Sequence, residues 1–206
     1  MRIERIERSK RRQGRILVYL EGGDLLRITE DELLRFDLYA GLDIGPETVV
    51  ELQKRAARSE TRLRAANMVS ARALSKAETQ KRLRDAGAAE DDARAAADWL
   101  EEIGALDDLA YARAVVRHYS ASGYGEARLR DELRRRGVPR ELWDEALSEA
   151  PPPAETIERV IAARTKGCAV DEGERKKLSA LLLRRGFAWG DVKQALAALG
   201  ADVSED

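Results

Sequence analysis

Apolar and polar positions change rhythm once along the chain, from a period near two to a period near that of a helix. Arg15-Ile16-Leu17-Val18-Tyr19-Leu20 is a β-branched, apolar run and Leu25-Leu26-Arg27-Ile28 is a second, with Glu21-Gly22-Gly23-Asp24 between them. Paired glycines between short apolar runs predict a hairpin, because glycine accepts the positive φ of tight turns. Ile3 and Ile6 alternate with charges from Met1 to Arg8 and supply a third strand. Three short strands persist as a sheet only when something covers one face. The predicted cover is helical. Thr29 caps a short helix carrying Leu33, Leu34 and Phe36, and Gly41 and Gly45-Pro46 then break the chain. Val49, Val50, Leu52, Ala56, Leu63, Ala66 and Met68 mark a long, rather polar helix from Glu47 to about Arg72.

Beyond residue 73 the pattern is helical throughout, and it repeats. Gly87, Gly137 and Gly186 lie fifty and forty-nine residues apart. Leu83, Leu133 and Leu182 stand four residues before them, and Ala96, Ala146 and Ala195 nine residues after. Eight residues before, Leu129 and Leu178 match while Thr79 departs. A regular period of this length marks stacked supersecondary units. Each glycine fits a left-handed helix end, and the leucine one turn back sits on the face that the turn buries. Ser75-Lys76-Ala77-Glu78 is a capping box opening the first of these helices, and Asp107-Asp108 opens the helix bearing Leu109, Ala112, Val115, Val116 and Tyr119. Pro151-Pro152-Pro153 separates two later helices.

The predicted fold is therefore mainly α: tandem three-helix bundles in an elongated, curved molecule, preceded by a small three-stranded β-hairpin element. The expected boundaries are 1–45 for the β element with its short helix, 46–72 for a linking helix, and 73–121, 122–167 and 168–206 for the three repeats. In this reading a third helix closes each unit, and the last unit has only two, Glu172–Arg185 and Ala188–Leu199.

Composition narrows the partners. The chain has 37 Lys+Arg against 38 Asp+Glu, without the basic excess of a generic nucleic-acid coating protein. The cations are clustered instead: Arg8, Lys10, Arg11, Arg12 and Arg15 in one run, and Arg128, Arg130, Arg134, Arg135 and Arg136 in another. Charges interrupt every apolar stretch, and the N-terminus lacks an apolar signal core, so the expectation is a soluble, cytoplasmic protein without a membrane span. The single cysteine, Cys168, offers neither an internal disulfide nor a multi-cysteine metal site. His118 has no nucleophile paired with it, Asp107-Asp108 reads as an N-cap, and no phosphate-cradling loop is present. No catalytic residue, metal or cofactor is expected; the chain reads as a binding protein.

Two motifs carry a family resemblance. Gly104-Ala105-Leu106-Asp107-Asp108-Leu109-Ala110-Tyr111-Ala112 is followed by Gly125-Glu126-Ala127-Arg128-Leu129-Arg130-Asp131-Glu132-Leu133, ending at Gly137. Together they resemble the central region of the bacterial RecX family, in which Gly-x-Leu-Asp-Asp-x-x-Tyr-Ala precedes Gly-x-x-Arg-Leu-x-x-Glu-Leu-x-x-x-Gly. The Ser75-x-x-Glu78 helix fits as well, and the N-terminal hairpin resembles the extension of longer members. Ser122 departs from the lysine that members often carry, and Thr79 from an apolar residue. The resemblance implies a monomeric modulator of the RecA recombinase that lies in the groove of the RecA–single-stranded DNA filament. Such a modulator inhibits strand exchange, ATP hydrolysis and coprotease activity, and so acts on DNA repair, recombination and the SOS response. Direct contact with DNA stays open.

The expected partner-binding residues, for RecA or for phosphate, are Tyr124, Arg128, Arg130, Arg134 and Arg135. The run Arg8, Lys10, Arg11, Arg12 and Arg15 is the second candidate, for nucleic acid. The alternative from another class is a sequence-reading DNA-binding protein made of tandem helix-turn-helix-like modules. Against it, the arginine helix ends in three consecutive cations and carries no Asn, Gln or Ser set at its start to read base edges.

Overall fold

In the computed structural model, residues 1–10, 14–166, 168 and 170–201 are described. They form two compact units, one of residues 1–72 with 79–106, the other of residues 73–78 with those from 107 onward.

The first unit begins with an antiparallel meander in the order β1 (Ile3–Arg8), β2 (Arg15–Leu20), β3 (Leu25–Thr29). Ile16, Val18 and Leu20 of β2 alternate with Leu17 and Tyr19, so a single face is fully buried. Thr29 closes β3 and opens α1 (Glu30–Arg35): its hydroxyl accepts from the Glu32 amide, while the Glu32 carboxylate accepts from the Thr29 amide at 2.8 Å. The main cover of the sheet is α2 (Pro46–Ala71), at 26 residues about 39 Å long. Its first half gives Val49, Leu52 and Ala56 to the sheet core. Its second half gives Ala65, with Met68 and Val69 beside it, to a separate core built with α3 (Lys76–Asp85) and α4 (Glu90–Glu102). The helix thus serves two cores from two faces, and the positions that fall between those faces are left outside. Val50 and Leu63 are each 48% exposed.

The second unit holds α5 (Asp108–Ala121), α6 (Glu126–Arg135), a 3₁₀ turn (Arg140–Leu142) running into α7 (Trp143–Leu147), then α8 (Pro153–Thr165), α9 (Glu172–Arg184) and α10 (Trp189–Ala201). One core joins α5, α6 and α7 through Val116, Leu129, Leu133 and Ala146. Another joins α8, α9 and α10 through Ile157, Leu178, Leu182 and Val192. This grouping corrects the expected phase of the repeat. The third helix opens each module rather than closing it, so α5 belongs with α6 and α7, and α8 with α9 and α10. The second half of α2 plays the same part for α3 and α4.

The repeating glycines do what their spacing predicts. Gly87, Gly137 and Gly186 have φ of 89°, 67° and 89°. The amides of Ala88, Val138 and Phe187 donate to the carbonyls of Leu83, Leu133 and Leu182 at 3.0, 3.1 and 3.3 Å, the six-to-one bond of a Schellman turn. All three leucines are fully buried. Thr79 takes the inward position where the other repeats carry leucine, and it too is fully buried.

Candidate partner-binding site on the second module

The arginine-rich helix α6 is held at both ends by its surroundings. At its start, the Gly125 amide donates to the Arg185 carbonyl at 2.9 Å and the Ala127 amide to the Gly186 carbonyl at 3.1 Å. A Cβ on Gly125 would stand 2.5 Å from the Gly186 oxygen, and one on Gly186 would stand 2.5 Å from the Arg128 nitrogen. Two glycines are therefore required for the third module's turn to approach α6 closely. This contact gives otherwise orphaned amides of the helix start the carbonyls of a helix end. At the other end the Ser75 hydroxyl donates to the Arg136 carbonyl and accepts from the Glu78 amide at 3.0 Å. The Asp108 carboxylate accepts from the Lys76 amide at 2.8 Å, and Asp107 caps α5 by accepting from Ala110 at 2.9 Å. The aspartate pair is thus built into helix starts, as its sequence position predicts.

Glu132 is the electrostatic centre of the helix. It is 3% exposed, and its oxygens meet Arg128 at 2.9 Å, Arg135 at 3.0 Å and Arg136 at 3.5 Å. Arg136 also donates to the phenol oxygens of Tyr111 and Tyr119 at 3.2 and 3.1 Å. Burial holds the Tyr111 phenol above its usual pKa, with Arg136 pulling part of the way back. Tyr124 lies half-buried at the helix start, with the Arg128 and Arg185 guanidinium groups 5.9 and 5.6 Å from its ring centre.

These contacts sort the expected site residues. Arg130 is engaged twice, with Glu126 at 2.7 Å and Asp144 at 3.1 Å. Arg128 belongs to the Glu132 centre. Arg134 pairs with Asp131 yet keeps 71% of its side chain exposed, and Arg135 keeps 66%. The outward-facing cations are therefore Arg134 and Arg135. Sequence reasoning missed Glu132, Tyr111 and Tyr119, and it counted Arg136 in the basic run without giving it a role. The offsets of four from Arg128 to Glu132, and of three and four from Glu132 to Arg135 and Arg136, were the available signal. Next to Tyr124 and Arg130 lies a cavity of about 520 Å³ with Leu129, Leu147 and Phe187 in its wall. Ser120, also lining it, is 3% exposed, and its hydroxyl has no hydrogen-bond partner.

The N-terminal basic run divides. Arg8 is exposed and paired with Glu30 at 2.9 Å, and Lys10 is exposed. Arg15 is only 5% exposed, with Nη1 on the Arg27 carbonyl at 3.5 Å and Nη2 at 3.9 Å from Glu60. It lies on the strand face of Leu17 and Tyr19, opposite the fully buried one, and its surroundings there, with the Arg27 carbonyl and Glu60, cover its side chain. Arg11 and Arg12 lie outside the described residues. Among the described residues no group of three His, Cys, Asp or Glu side chains is placed to hold a metal ion. None of the described helices is long and apolar enough to cross a membrane. His118 is exposed, its ring edge-on to Tyr119 at 5.2 Å, and Cys168 is exposed.

Cores of this kind, joined through glycine turns and carrying one arginine-rich helix, define a protein of tandem three-helix modules. Residues 107–147, which span α5 to α7, match the family model described as RecX, second three-helix domain. The regulatory protein RecX of Trichlorobacter lovleyi is 33% identical over 146 residues, covering 66% of this chain and 93% of that relative. The one of Vibrio campbellii is 32% identical over 135 residues, covering 65% and 87%. A crystal structure of regulatory protein RecX shares the fold with a TM-score of 0.73 at 22% identity, over 94% of this chain and 98% of that one. RecX from Lactobacillus salivarius does so with a TM-score of 0.62 at 19% identity, over 70% and 97%. The chain belongs to the RecX family of regulatory proteins.

Proposed function

We propose that this protein binds RecA in the groove of the RecA–single-stranded DNA filament and restrains strand exchange, ATP hydrolysis and coprotease activity. Through these it acts on recombination, repair and the SOS response. The observation that carries the reading is the outward pair Arg134 and Arg135, 71% and 66% exposed at the end of α6, within the module that matches the family. Tyr124, Arg128 and Arg130 form the ordered base from which that pair projects, and the cavity beside Tyr124 receives an apolar side chain of the partner. Near-zero net charge with local cations suits contact with an acidic protein lining or with phosphates, without indiscriminate coating of nucleic acid. Several modules along one filament add weak contacts through effective concentration.

The test is inhibition of RecA ATPase on single-stranded DNA by the Arg134→Glu/Arg135→Glu double variant. Both side chains are largely in solvent, so helix content by circular dichroism stays at the parent value. The concentration giving half-inhibition rises about tenfold or more, as for the loss of two interfacial charges. Unchanged inhibition removes α6 from the interface. Arg130 is left in place, since it holds Glu126 and Asp144 at once and its side chain is less exposed than either of the pair. Fluorescence anisotropy with duplex DNA, in the absence of RecA, separates the DNA-reading alternative: binding that depends on duplex sequence favours it.

A further inference from the structure

The third module carries a second charged surface, along α8 and α9. Two adjoining cavities of about 340 and 390 Å³ lie along α8 and α9 and share Arg164 and Leu181 in their walls. Five cations line them, Arg159, Arg164, Lys177, Arg184 and Arg185, against the single carboxylate of Glu174. Among the described residues none of the five is engaged in an ion pair. Arg159 instead donates to the Ser120 carbonyl at 2.8 Å, and Arg185 to the Gly123 carbonyl at 3.2 Å. Between these cations the walls are aliphatic, with Val160, Leu178 and Leu181. Residues 151–206 have zero net charge only because Asp202, Glu205 and Asp206 close the sequence; residues 151–201 carry nine cations against six carboxylates. Glu155, Glu172 and Asp191 sit in the first turns of their helices, while Arg164 and Arg184 sit in the last.

We propose that the groove between α8 and α9 binds an acidic protein segment in which aspartate or glutamate residues flank an aliphatic side chain. Unpaired guanidinium groups select carboxylates or phosphates, which they grip through two parallel hydrogen bonds. The aliphatic floor decides between the two. Single-stranded nucleic acid is held by aromatic platforms on which bases stack, and no aromatic residue lines either cavity. An acidic segment with an apolar residue in register uses both parts of the surface, charges on the rim and a side chain on the floor. The inference stands apart from the RecA reading, because it concerns different residues and a different measurement.

Fluorescence anisotropy of the full-length protein decides the matter, with a labelled hexapeptide of paired glutamates around leucines as the probe. Two controls accompany it: the same peptide with serine in place of leucine, and a twenty-nucleotide thymidine strand. The leucine peptide binds at least fivefold more tightly than the serine peptide, and Arg164→Ala/Arg184→Ala weakens it at least tenfold. Ala180→Glu keeps every arginine and adds a carboxylate to an exposed wall position, and it produces the same loss even if the double variant folds poorly. Absence of peptide binding overturns the proposal, as does binding indifferent to both variants. Displacement of the peptide by the thymidine strand, with strand binding dependent on Arg164 and Arg184, reassigns the groove to nucleic acid and overturns it equally.

Discussion

Alanine at Gly186 lowers the unfolding free energy by about 3–5 kcal/mol, whereas alanine at Gly87 lowers it by about 1 kcal/mol. Both glycines have φ of 89°, so the left-handed penalty is common to the two. The difference is what a Cβ meets. At Gly87 nothing lies within 4 Å, but at Gly186 the Arg128 backbone nitrogen is 2.5 Å away and its Cβ 2.9 Å. Backbone in the first turn of a helix cannot give way as a flexible side chain can, so the third module's turn must withdraw from α6. That movement also strips the Gly125 and Ala127 amides of their carbonyls. Gly125→Ala separates the two causes, because Gly125 has an ordinary φ of −87° and loses only the close approach. Urea unfolding of the three variants gives the ordering Gly186 largest, Gly125 intermediate, Gly87 smallest. Equal losses at Gly87 and Gly186 refute a glycine clasp between the second and third modules.

Glu132→Ala is the second large effect, a destabilisation of about 3 kcal/mol, typical of removing one partner from a buried charge cluster. The loss comes mainly from Arg128 and Arg136, whose side chains are 38% and 31% exposed and are left without their carboxylate. Arg135 contributes little, because a pair 66% exposed on its cationic side is well screened by water. A double-mutant cycle between positions 132 and 135 accordingly gives a coupling below about 1 kcal/mol, while the cycle between 132 and 136 gives more. Arg136 keeps its two phenols when Glu132 is removed, and this limits the loss. Glu132→Gln retains an acceptor and falls between parent and alanine. A cycle in which position 135 dominates would place the network at the surface rather than in the joint.

The motif residues that carried the family resemblance turn out to build joints. Gly125, Arg128, Glu132 and Gly137 are close approaches or members of the buried charge centre, Asp107 and Asp108 satisfy helix starts, and Tyr111 receives Arg136. The outward Arg134 and Arg135 occupy variable positions of the same pattern. The repeat was legible because a Schellman turn needs glycine at one place and an apolar residue one turn earlier, and this leaves a fixed spacing in any sequence that uses it. The phase was not legible, since a period says nothing about where a unit starts; only the shared cores of α5 with α6 and α7 decide that. Burial of Arg15 was hidden for a related reason. Arg15 shares the less buried face of β2 with Leu17 and Tyr19, and the groups that cover it, the Arg27 carbonyl and Glu60, come from other elements. Pairing within α6 followed from local offsets, but Asp144 reaches Arg130 from another helix, and no spacing along the chain announces it. The charge of the third module was hidden by averaging along the sequence, because Asp202, Glu205 and Asp206 bring to zero a stretch in which residues 151–201 carry nine cations against six carboxylates.

The carbonyl just before each repeat glycine is always claimed. Arg185 gives its oxygen to the Gly125 amide and Arg136 gives its own to Ser75, while in the first repeat the Ala86 oxygen is met by the Arg64 guanidinium at 2.7 Å. A stackable unit invites another copy wherever its joining surface lies bare. Arg64 fills that socket from within its own unit, so the first repeat satisfies the carbonyl of its turn without a preceding module.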